Sequence, residues 1–260
     1  MQKIKILKVK LDSVTEKEAL EKVSEWLKGK KQRHIATPNP EILLEAERNP
    51  KFRKVLNQTD LNIPDGIGIL WAAKFQKTNK SFFNFVRTLS SIVLKPDSIR
   101  SEFPERVTGT DLMEKICANT DKKVFFLGAK EGIAKKTAEK LKEKYKQFEI
   151  AGSHSGSPKI KDEKEIVEKI NNAKAEILFV AYGAPAQELW IARNLKKLKT
   201  VKLAIGIGGA FDFVSGERKR APKLMQKAGI EWLYRLLKEP KRIKRIYNAT
   251  IKFPLKIKKC

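Results

Sequence analysis

The stretch Ile177-Leu-Phe-Val-Ala-Tyr-Gly-Ala-Pro-Ala-Gln-Glu188 decides the fold. It begins as a short apolar run typical of a buried strand, passes through small residues, and ends where a helical pattern starts. The same order recurs along the second half of the chain, with strands predicted at 124–128, 147–151, 177–182 and 201–205. Helices are predicted at 110–119, 131–146, 160–173 and 185–197. Strands separated by helices indicate right-handed crossovers, so we predict a Rossmann-like α/β fold, a mainly parallel sheet flanked by helices.

The N-terminal part continues this pattern. Strands are predicted at 3–11, 33–37 and 60–64, and helices at 15–28, 40–48, 50–57 and about 67–75. Asn39-Pro40 and Asn49-Pro50 each combine a helix N-cap with a first-turn proline. The stretch 77–105 shows no clear period, and we expect it to be a mobile connection.

Composition limits the class of protein. The chain has 260 residues and an apolar fraction of 41%, which suffices for a core and excludes a disordered chain. Cys117 and Cys260 offer no disulfide framework, as expected in a reducing cytoplasm. The N-terminal segment lacks the apolar core of a signal peptide, and no apolar run is long enough to span a bilayer. We therefore expect a soluble or peripheral protein.

Positive charge is concentrated at the C-terminal end. The formal net charge is +26, and residues 216–260 hold 15 Lys and Arg against 3 Glu. Helical patterns cover 224–237 and 241–251, and one face of the second carries Ile243, Ile246, Tyr247, Thr250 and Ile251. A basic helix with such a face is typical of a membrane interface. We predict an α/β domain over 1–215 and a basic, amphipathic α-helical appendage over 216–260 that binds an anionic membrane surface.

Polar residues follow two of the predicted strands. Thr37 and Asn39 come after the strand at 33–37, and Asp65 comes after the strand at 60–64. Ligands of open α/β sheets bind beyond the carboxyl ends of the strands, so these residues are candidates for a binding site. The alternatives are structural: Asn39 and Asp65 are good helix N-caps, and a threonine at a strand end is usually structural.

Two further segments present polar side chains at turns. Gly183-Ala-Pro-Ala-Gln-Glu188 brings Gln187 and Glu188 to a strand-to-helix turn, where helix capping is the alternative explanation. Arg106 stands just before a turn and a helix start, which suits phosphate recognition, although an ion pair would also explain it.

Several common sites are excluded by the sequence. No Gly-x-Gly-x-x-Gly motif follows the first strand and no Walker lysine motif occurs, so typical dinucleotide and P-loop sites are not expected. His34 and His154 are the only histidines, and neither has a cysteine or acid pair at ligand spacing. We expect no metal site and no cofactor.

The ordered motifs resemble those of the WecG/TagA/CpsF glycosyltransferases. The resemblance covers about residues 10 to 246. The blocks that carry it are Ala36-Thr-Pro-Asn-Pro-Glu41, Pro64-Asp-Gly-Ile-Gly68, Arg106-Val-Thr-Gly-Thr-Asp111, Gly183 to Glu188, Gly208-Gly-Ala-Phe-Asp212 and a closing run from Arg220-Ala-Pro222 to Glu231-Trp-Leu-Tyr-Arg-Leu236 and Glu239-Pro-x-Arg242.

The resemblance implies an inverting, metal-independent reaction that moves N-acetylmannosamine from UDP-ManNAc to GlcNAc-diphospho-undecaprenol. This is a step in wall teichoic acid linkage-unit synthesis. The family's proposed base falls on Asp65, and its substrate contacts fall on Thr37, Asn39, Arg106 and Gln187. Arginines of the appendage that close over the site and meet the diphosphate fall on Arg235, Arg242 and Arg245. The enzyme is then expected at the cytoplasmic face of the bacterial membrane, as a peripheral protein.

The sequence also allows other functions. A related lipid-linked sugar transferase could use UDP-N-acetylmannosaminuronic acid or UDP-glucose as the donor. The net charge also suits a nucleic-acid-binding protein, but no recognition motif is present and the tail is amphipathic, so no nucleic acid is expected. Apolar patterns in 189–198 and 224–237 could pack within one chain or between subunits of a homo-oligomer.

Overall fold

The structure is a computed structural model that describes residues 2–227 and 229–260. Its strands are β1 (Lys3–Ile6), β2 (Val9–Asp12), β3 (Arg33–Ala36), β4 (Leu61–Asn62), β5 (Lys123–Gly128), β6 (Glu149–His154), β7 (Ile177–Ala181) and β8 (Leu203–Gly206). Six of them form one sheet in the order β4-β3-β8-β7-β5-β6, and every neighbouring pair is parallel. The predicted mainly parallel α/β fold is confirmed.

Helices cover both faces of this sheet. They are α1 (Glu16–Lys28), α2 (Pro40–Arg48), α3 (Pro50–Gln58), α4 (Ile67–Gln76), α5 (Phe82–Leu94), α6 (Gly109–Ala118), α7 (Ile133–Lys144), α8 (Glu163–Asn172), α9 (Ala186–Asn194), α10 (Ala210–Val214), α11 (Lys223–Lys227), α12 (Glu231–Lys238), α13 (Ile243–Tyr247) and α14 (Phe253–Lys259). Short 3₁₀ turns lie at Pro96–Arg100, Ile160–Asp162, Leu195–Lys197 and Pro240–Arg242, and a π-helical turn at Asn248–Lys252 joins α13 to α14.

The core explains why the strands read as continuous apolar runs. All five residues of β7 are buried, because helices pack on both of its faces. On one face the apolar side chains of α1, α6 and α7 meet the sheet, and on the other face those of α8 and α9 do so. A further cluster joins α2, α3, α4, α5 and α14 beside β3.

The predicted strand at 3–11 is instead a hairpin. β1 pairs with β2 in antiparallel fashion, outside the main sheet. Leu7 and Lys8 adopt positive φ values of 45° and 67°, which reverse the chain and split the alternating pattern into two strands. Asp12 attaches the hairpin to the sheet by accepting a hydrogen bond from the Asn62 backbone N–H at 2.8 Å.

The expectation of a mobile connection over 77–105 is wrong. The segment contains α5 and the 3₁₀ turn at Pro96–Arg100. Ser81 caps α5 by accepting the Asn84 N–H, and Trp71 of α4 donates its indole N–H to Thr88 at 3.1 Å. The helical period was obscured because apolar side chains also occupy the outer face of α5, where Phe82 and Val86 are exposed.

The C-terminal segment is helical but more broken than its sequence pattern predicts. The helix predicted over 224–237 divides into α11 and α12, and Gly229, with φ +71°, lies between them. The segment from α13 to α14 ends in the core, since Phe253 and Ile257 are fully buried and α14 packs on α4. Over the two described ranges, no helix combines the length and apolar character needed to cross a bilayer.

Candidate active site

The carboxyl ends of the strands border a cavity of about 790 Å³. Residues that follow β3, β4, β5, β7 and β8 line it: Thr37, Asp65, Ala129, Gly183 and Gly208. The parallel direction of the strands brings these positions to one edge of the sheet, although they are far apart in the chain. This is the edge at which open α/β folds bind ligands.

Asp65 lies partly buried in the cavity wall. The cap of α4 is Gly66, which makes no side-chain capping bond, so the interpretation of Asp65 as the cap of that helix is wrong. Its carboxylate instead accepts a hydrogen bond from the Gly109 backbone N–H at 3.4 Å. Gly109 is the first residue of α6, and an acid beside a helix N-terminus is favoured by the helix dipole.

Burial raises the pKa of Asp65 above the ordinary range of an aspartate. Arg106, the Gly109 N–H and Arg235 oppose this effect, because each stabilises the ionised carboxylate, whereas Glu231 adds to it. A carboxylate that is desolvated and yet faces cations is the environment in which proteins place a general base.

Thr37 and Asn39 line the same cavity. The Thr37 hydroxyl donates to the Gly206 carbonyl at 3.0 Å, which ties the end of β3 to the end of β8. The Asn39 side-chain carbonyl accepts the Ile42 N–H at 3.1 Å and so caps α2. The structural interpretations of both residues hold, and their contact with a substrate stays a prediction.

Gln187 is a buried residue of the cavity lining, and its side chain bonds to neighbouring groups of the protein. Its side-chain carbonyl accepts the backbone N–H groups of Gly183 and Gly208, both at 3.0 Å. Its amide N–H donates to Glu188 at 2.7 Å. Gln187 therefore fixes the turns after β7 and β8 relative to each other. A direct substrate contact stays a prediction.

The sequence predicts Glu188 only as a polar neighbour of Gln187 at the turn. In the structure its environment differs from that of Gln187. It is fully buried, one carboxylate oxygen accepts from Gln187, and the other has no hydrogen-bond partner among the described residues. Burial raises its pKa to about 7. The carboxyl is thus close to half protonated at neutral pH.

Arg106 and Arg235 come from distant parts of the chain and share one acid. Arg106 contacts Glu231 at 3.3 Å, and Arg235 pairs with the other oxygen of the same carboxylate. The Arg235 guanidinium also stacks over the Phe213 ring at 5.2 Å. The ion pair expected as the alternative role of Arg106 is present. Glu231 was not predicted as a site residue, although it stands in the closing sequence run.

Arg242 and Arg245 complete a cationic side of the cavity. Arg245 contacts Glu41 at 3.0 Å, and Arg242 contacts Glu239 at 3.5 Å. Burial and the nearby positive charge of Arg245 lower the pKa of Arg242, and the negative charge of Glu239 opposes this effect. A wall that carries several arginines suits an anionic ligand.

Two other arginines on the cavity wall were not among the predicted site residues. Arg218 contacts Asp212 at 3.2 Å. Arg220 contacts Asp111 at 2.5 Å, and Asp111 also accepts the hydroxyl hydrogen of Thr108, the cap of α6. Arg220 belongs to Arg220-Ala-Pro222, a motif used for the resemblance but not for a residue role, and Arg218 lies just before that motif.

Groups of three or more His, Cys, Asp or Glu at metal-binding distance are not found in the described parts of the chain. The cavity combines the partly buried Asp65, backbone N–H groups near helix starts, and a wall of arginines from the C-terminal segment. This arrangement can take a proton from a hydroxyl group at Asp65 and stabilise negative charge on phosphate oxygens nearby.

The chain is similar to known proteins. A model of the glycosyl transferase WecG/TagA/CpsF family matches residues 4–89 and 90–259. The chain is also 34% identical, over 226 residues, to an N-acetylglucosaminyldiphosphoundecaprenol N-acetyl-beta-D-mannosaminyltransferase of Bacillus spizizenii. That alignment covers 86% of this chain and 78% of the relative.

Proposed function

The chain belongs to the WecG/TagA/CpsF family of glycosyltransferases, and we propose that it transfers N-acetylmannosamine from UDP-ManNAc to GlcNAc-diphospho-undecaprenol. The assignment of the acceptor and of the transferred sugar rests on the 34% identity to a relative that is named for this activity. The cavity supports the proposal, because it joins a desolvated aspartate to an arginine-lined wall.

Asp65 is the general base of the proposed reaction. Its carboxylate takes the proton from a hydroxyl of the acceptor GlcNAc, and the hydroxyl oxygen forms a bond to the anomeric carbon of the donor. The bond from that carbon to the UDP oxygen breaks in the same step, so the configuration at the anomeric carbon is inverted. Base assistance of this type contributes about 10²–10⁴-fold to the rate.

The arginines supply the positive charge that the two diphosphates require. Charge builds on the leaving UDP during bond breaking, and fixed cations in a partly desolvated cavity stabilise it. In this proposal Arg235, Arg242 and Arg245 meet diphosphate oxygens, and Arg106 holds Asp65 in its ionised form. No metal ion takes part in the proposed mechanism.

The strand-end residues position the sugars. Thr37 and Asn39 present polar groups beside Asp65, and Gln187 holds the two glycine turns that form the floor. The proposed catalytic unit is 1–215, and the basic appendage over 216–260 completes the site with its arginines. A polyprenyl acceptor places the enzyme at the membrane, and we assign it to the cytoplasmic face as a peripheral protein.

A donor screen tests the proposal. The purified chain is given GlcNAc-diphosphate carrying a prenyl chain, together with UDP-ManNAc, UDP-N-acetylmannosaminuronic acid or UDP-glucose. We expect UDP release that depends on the acceptor, is fastest with UDP-ManNAc, and persists in EDTA. Faster turnover of another donor would show that N-acetylmannosamine is not the preferred sugar. Loss of activity in EDTA would overturn the proposed metal independence.

Asp65→Asn tests the base. The variant keeps the size and hydrogen-bonding geometry of the side chain but removes its basicity, so we expect kcat to fall by about 10²–10⁴-fold. Circular dichroism and the unfolding midpoint serve as controls for folding. Near-normal turnover by a folded Asp65→Asn protein would contradict the assignment.

A further inference from the structure

A second cavity of about 540 Å³ adjoins the first and shares Asp65 and three arginines with it. Beyond these polar residues its walls are mainly apolar. Ile67 and Trp71 of α4, Ile92 and Val93 of α5, and Ile246 and Ala249 of the C-terminal helices line it. We call this second cavity the apolar groove.

The apolar groove changes in polarity along its walls. At Asp65 it is bordered by Arg235, Arg242 and Arg245, which also line the cationic side of the active-site cavity. Elsewhere its lining side chains include Val93, 54% exposed, and Ile251, 47% exposed. The groove therefore connects the site of charge to an apolar opening at the surface.

The walls of the groove are held together by specific contacts. Gly229 approaches α4 and α5 so closely that an added Cβ would lie 3.0 Å from Ile92. The Lys258 ammonium of α14 lies 4.8 Å from the centre of the Phe82 ring of α5, and the burial of Phe253 fixes the start of α14. The groove is thus a built feature between α4, α5 and the C-terminal helices.

We propose that the apolar groove binds the first isoprenoid units of the acceptor's polyprenyl chain. This inference rests on the proposed function, since it assigns a place to the lipid part of the acceptor. The diphosphate lies at the arginines, the GlcNAc faces Asp65, and the chain leaves past Val93 and Ile251 toward the membrane. Helix α5 is then a wall of the acceptor site.

Two features of the groove favour a prenyl diphosphate over other apolar occupants. Its volume lies within the roughly 300–1,000 Å³ of typical ligand pockets, so it suits a flexible chain. Its charge is confined to one end, which matches a molecule with a diphosphate at the head of a hydrocarbon. A second copy of this protein is the competing occupant. If it filled the groove, turnover would not depend on the length of the acceptor's prenyl chain.

Direct binding tests the groove without a donor sugar. Trp71 and Trp232 both line it, so their fluorescence can report occupancy. We expect farnesyl diphosphate to bind at least about tenfold more tightly than inorganic diphosphate, because each buried CH₂ group contributes roughly fourfold to an affinity. Equal dissociation constants for the two probes would overturn the proposal.

Two variants change opposite walls in opposite ways. Val93→Gln makes the α5 wall polar, and Ala249→Phe fills the groove with apolar volume from the C-terminal helix. Both should lower the preference for farnesyl diphosphate over inorganic diphosphate by about tenfold. Val86→Gln is the matched control, since Val86 is an exposed valine of the same helix outside the groove. We expect the control to keep the wild-type preference.

Turnover gives a second reading. With GlcNAc-diphosphate carrying either a farnesyl or a methyl group, both groove variants should reduce the ratio of the two kcat/KM values. If no sugar is transferred to either acceptor, the proposed function is wrong. The preference for farnesyl diphosphate measured by fluorescence then still tests whether the groove binds a prenyl chain. If transfer occurs and both variants keep the wild-type ratio, the groove assignment is wrong. A changed sedimentation coefficient with an unchanged ratio would assign the groove to a second copy.

Discussion

At the scale of single residues, burial raises the pKa values of two acids near the cavity. The groups that oppose this rise differ between the two acids. Asp65 and Glu188 are both desolvated near the carboxyl ends of the strands. Asp65 faces Arg106 and Arg235, whereas the hydrogen bonds that the Glu188 carboxyl accepts come from neutral groups, the Gln187 amide and its own backbone N–H. The first environment favours a usable base, and the second favours a carboxyl that is protonated near neutral pH.

Arg106→Gln should move the acidic limb of the pH–rate profile to higher pH. The Arg106 charge lowers the pKa of Asp65, so its removal raises that pKa, and a higher pH is needed to ionise the proposed base. The profile of kcat/KM against pH measures this shift even if the maximal rate also falls. Arg100→Gln, at a surface ion pair with Asp97, is the control. An unshifted or more acidic limb for Arg106→Gln would contradict the role of Arg106.

Glu188→Gln should remove a pH dependence of folding stability. The pKa of Glu188 is about 7 in the folded protein against 4.5 for the free group, so the folded state binds the proton more tightly. The free energy of unfolding therefore falls as pH rises from about 4.5 to about 7, by roughly 1.4 kcal/mol per pKa unit.

Urea unfolding at pH 5 and pH 8 measures this difference. The loss of stability between the two pH values should be smaller for Glu188→Gln than for the wild type. Glu168→Gln replaces an exposed glutamate of α8 and should leave the loss unchanged. An equal loss in the wild type and Glu188→Gln would mean that Glu188 does not titrate in this range.

At the scale of elements, α5 and the C-terminal segment each combine buried side chains with exposed apolar ones. Helix α5 buries Phe85 and Thr88 and exposes Phe82 and Val86, so apolar residues occupy two faces. The segment from α13 to α14 exposes Ile243 and Tyr247, and then buries Phe253. The face predicted over 241–251 is divided in the structure, because Ile246, Thr250 and Ile251 line the apolar groove, whereas Ile243 and Tyr247 lie outside it and are exposed.

Phe253→Ala should destabilise the protein by about 3–5 kcal/mol, the usual cost of removing a fully buried phenylalanine from a core. Phe253 has no exposed surface and belongs to the cluster that contains α2, α4 and α5. Urea unfolding gives the free energy. Leu255→Ala, in the same helix at a side chain that is 47% exposed, should cost about 1 kcal/mol or less. Similar costs for both variants would show that α14 is not docked as described.

At the scale of the whole molecule, the candidate site is built from residues that lie far apart in the chain. Asp65, Arg106 and Glu231 meet across more than a hundred residues of sequence. Removing residues after about 214 would therefore take away Phe253 and Ile257 from the core together with the basic tail. Charge substitutions on the exposed side of the tail are the cleaner test of membrane binding.

The double variant Lys241→Glu, Lys244→Glu should weaken binding to anionic vesicles by about tenfold or more. Each basic residue near an anionic surface contributes about 1 kcal/mol, and both lysines are exposed on the tail. Co-sedimentation with phosphatidylglycerol vesicles measures the effect, which should shrink as salt is raised. The matched control is Lys161→Glu, Lys164→Glu, which changes the net charge equally at a distance along the chain. An equal loss in the control would assign binding to overall charge.

The sequence by itself determined the elements of the parallel sheet and the edge at which the site lies. Apolar runs followed by small residues fix the strands and their ends locally, and Asn39-Pro40 fixes a helix start in the same way. The order of the motifs also identified the family. Each of these signals is encoded within a few residues, so it survives without knowledge of the packing.

Only the tertiary structure decided which of these residues act together. Three sets of contacts join residues from separate elements. The Gly109 N–H donates a hydrogen bond to Asp65, and Arg106 and Arg235 share the Glu231 carboxylate. The Gln187 side chain accepts the Gly208 N–H and so holds the turn after β8. Helix α5 was missed because its period is hidden by apolar side chains on two faces, one packed in the core and one exposed. Contacts of this kind depend on how the helices pack on the sheet, and local sequence patterns carry no record of that packing.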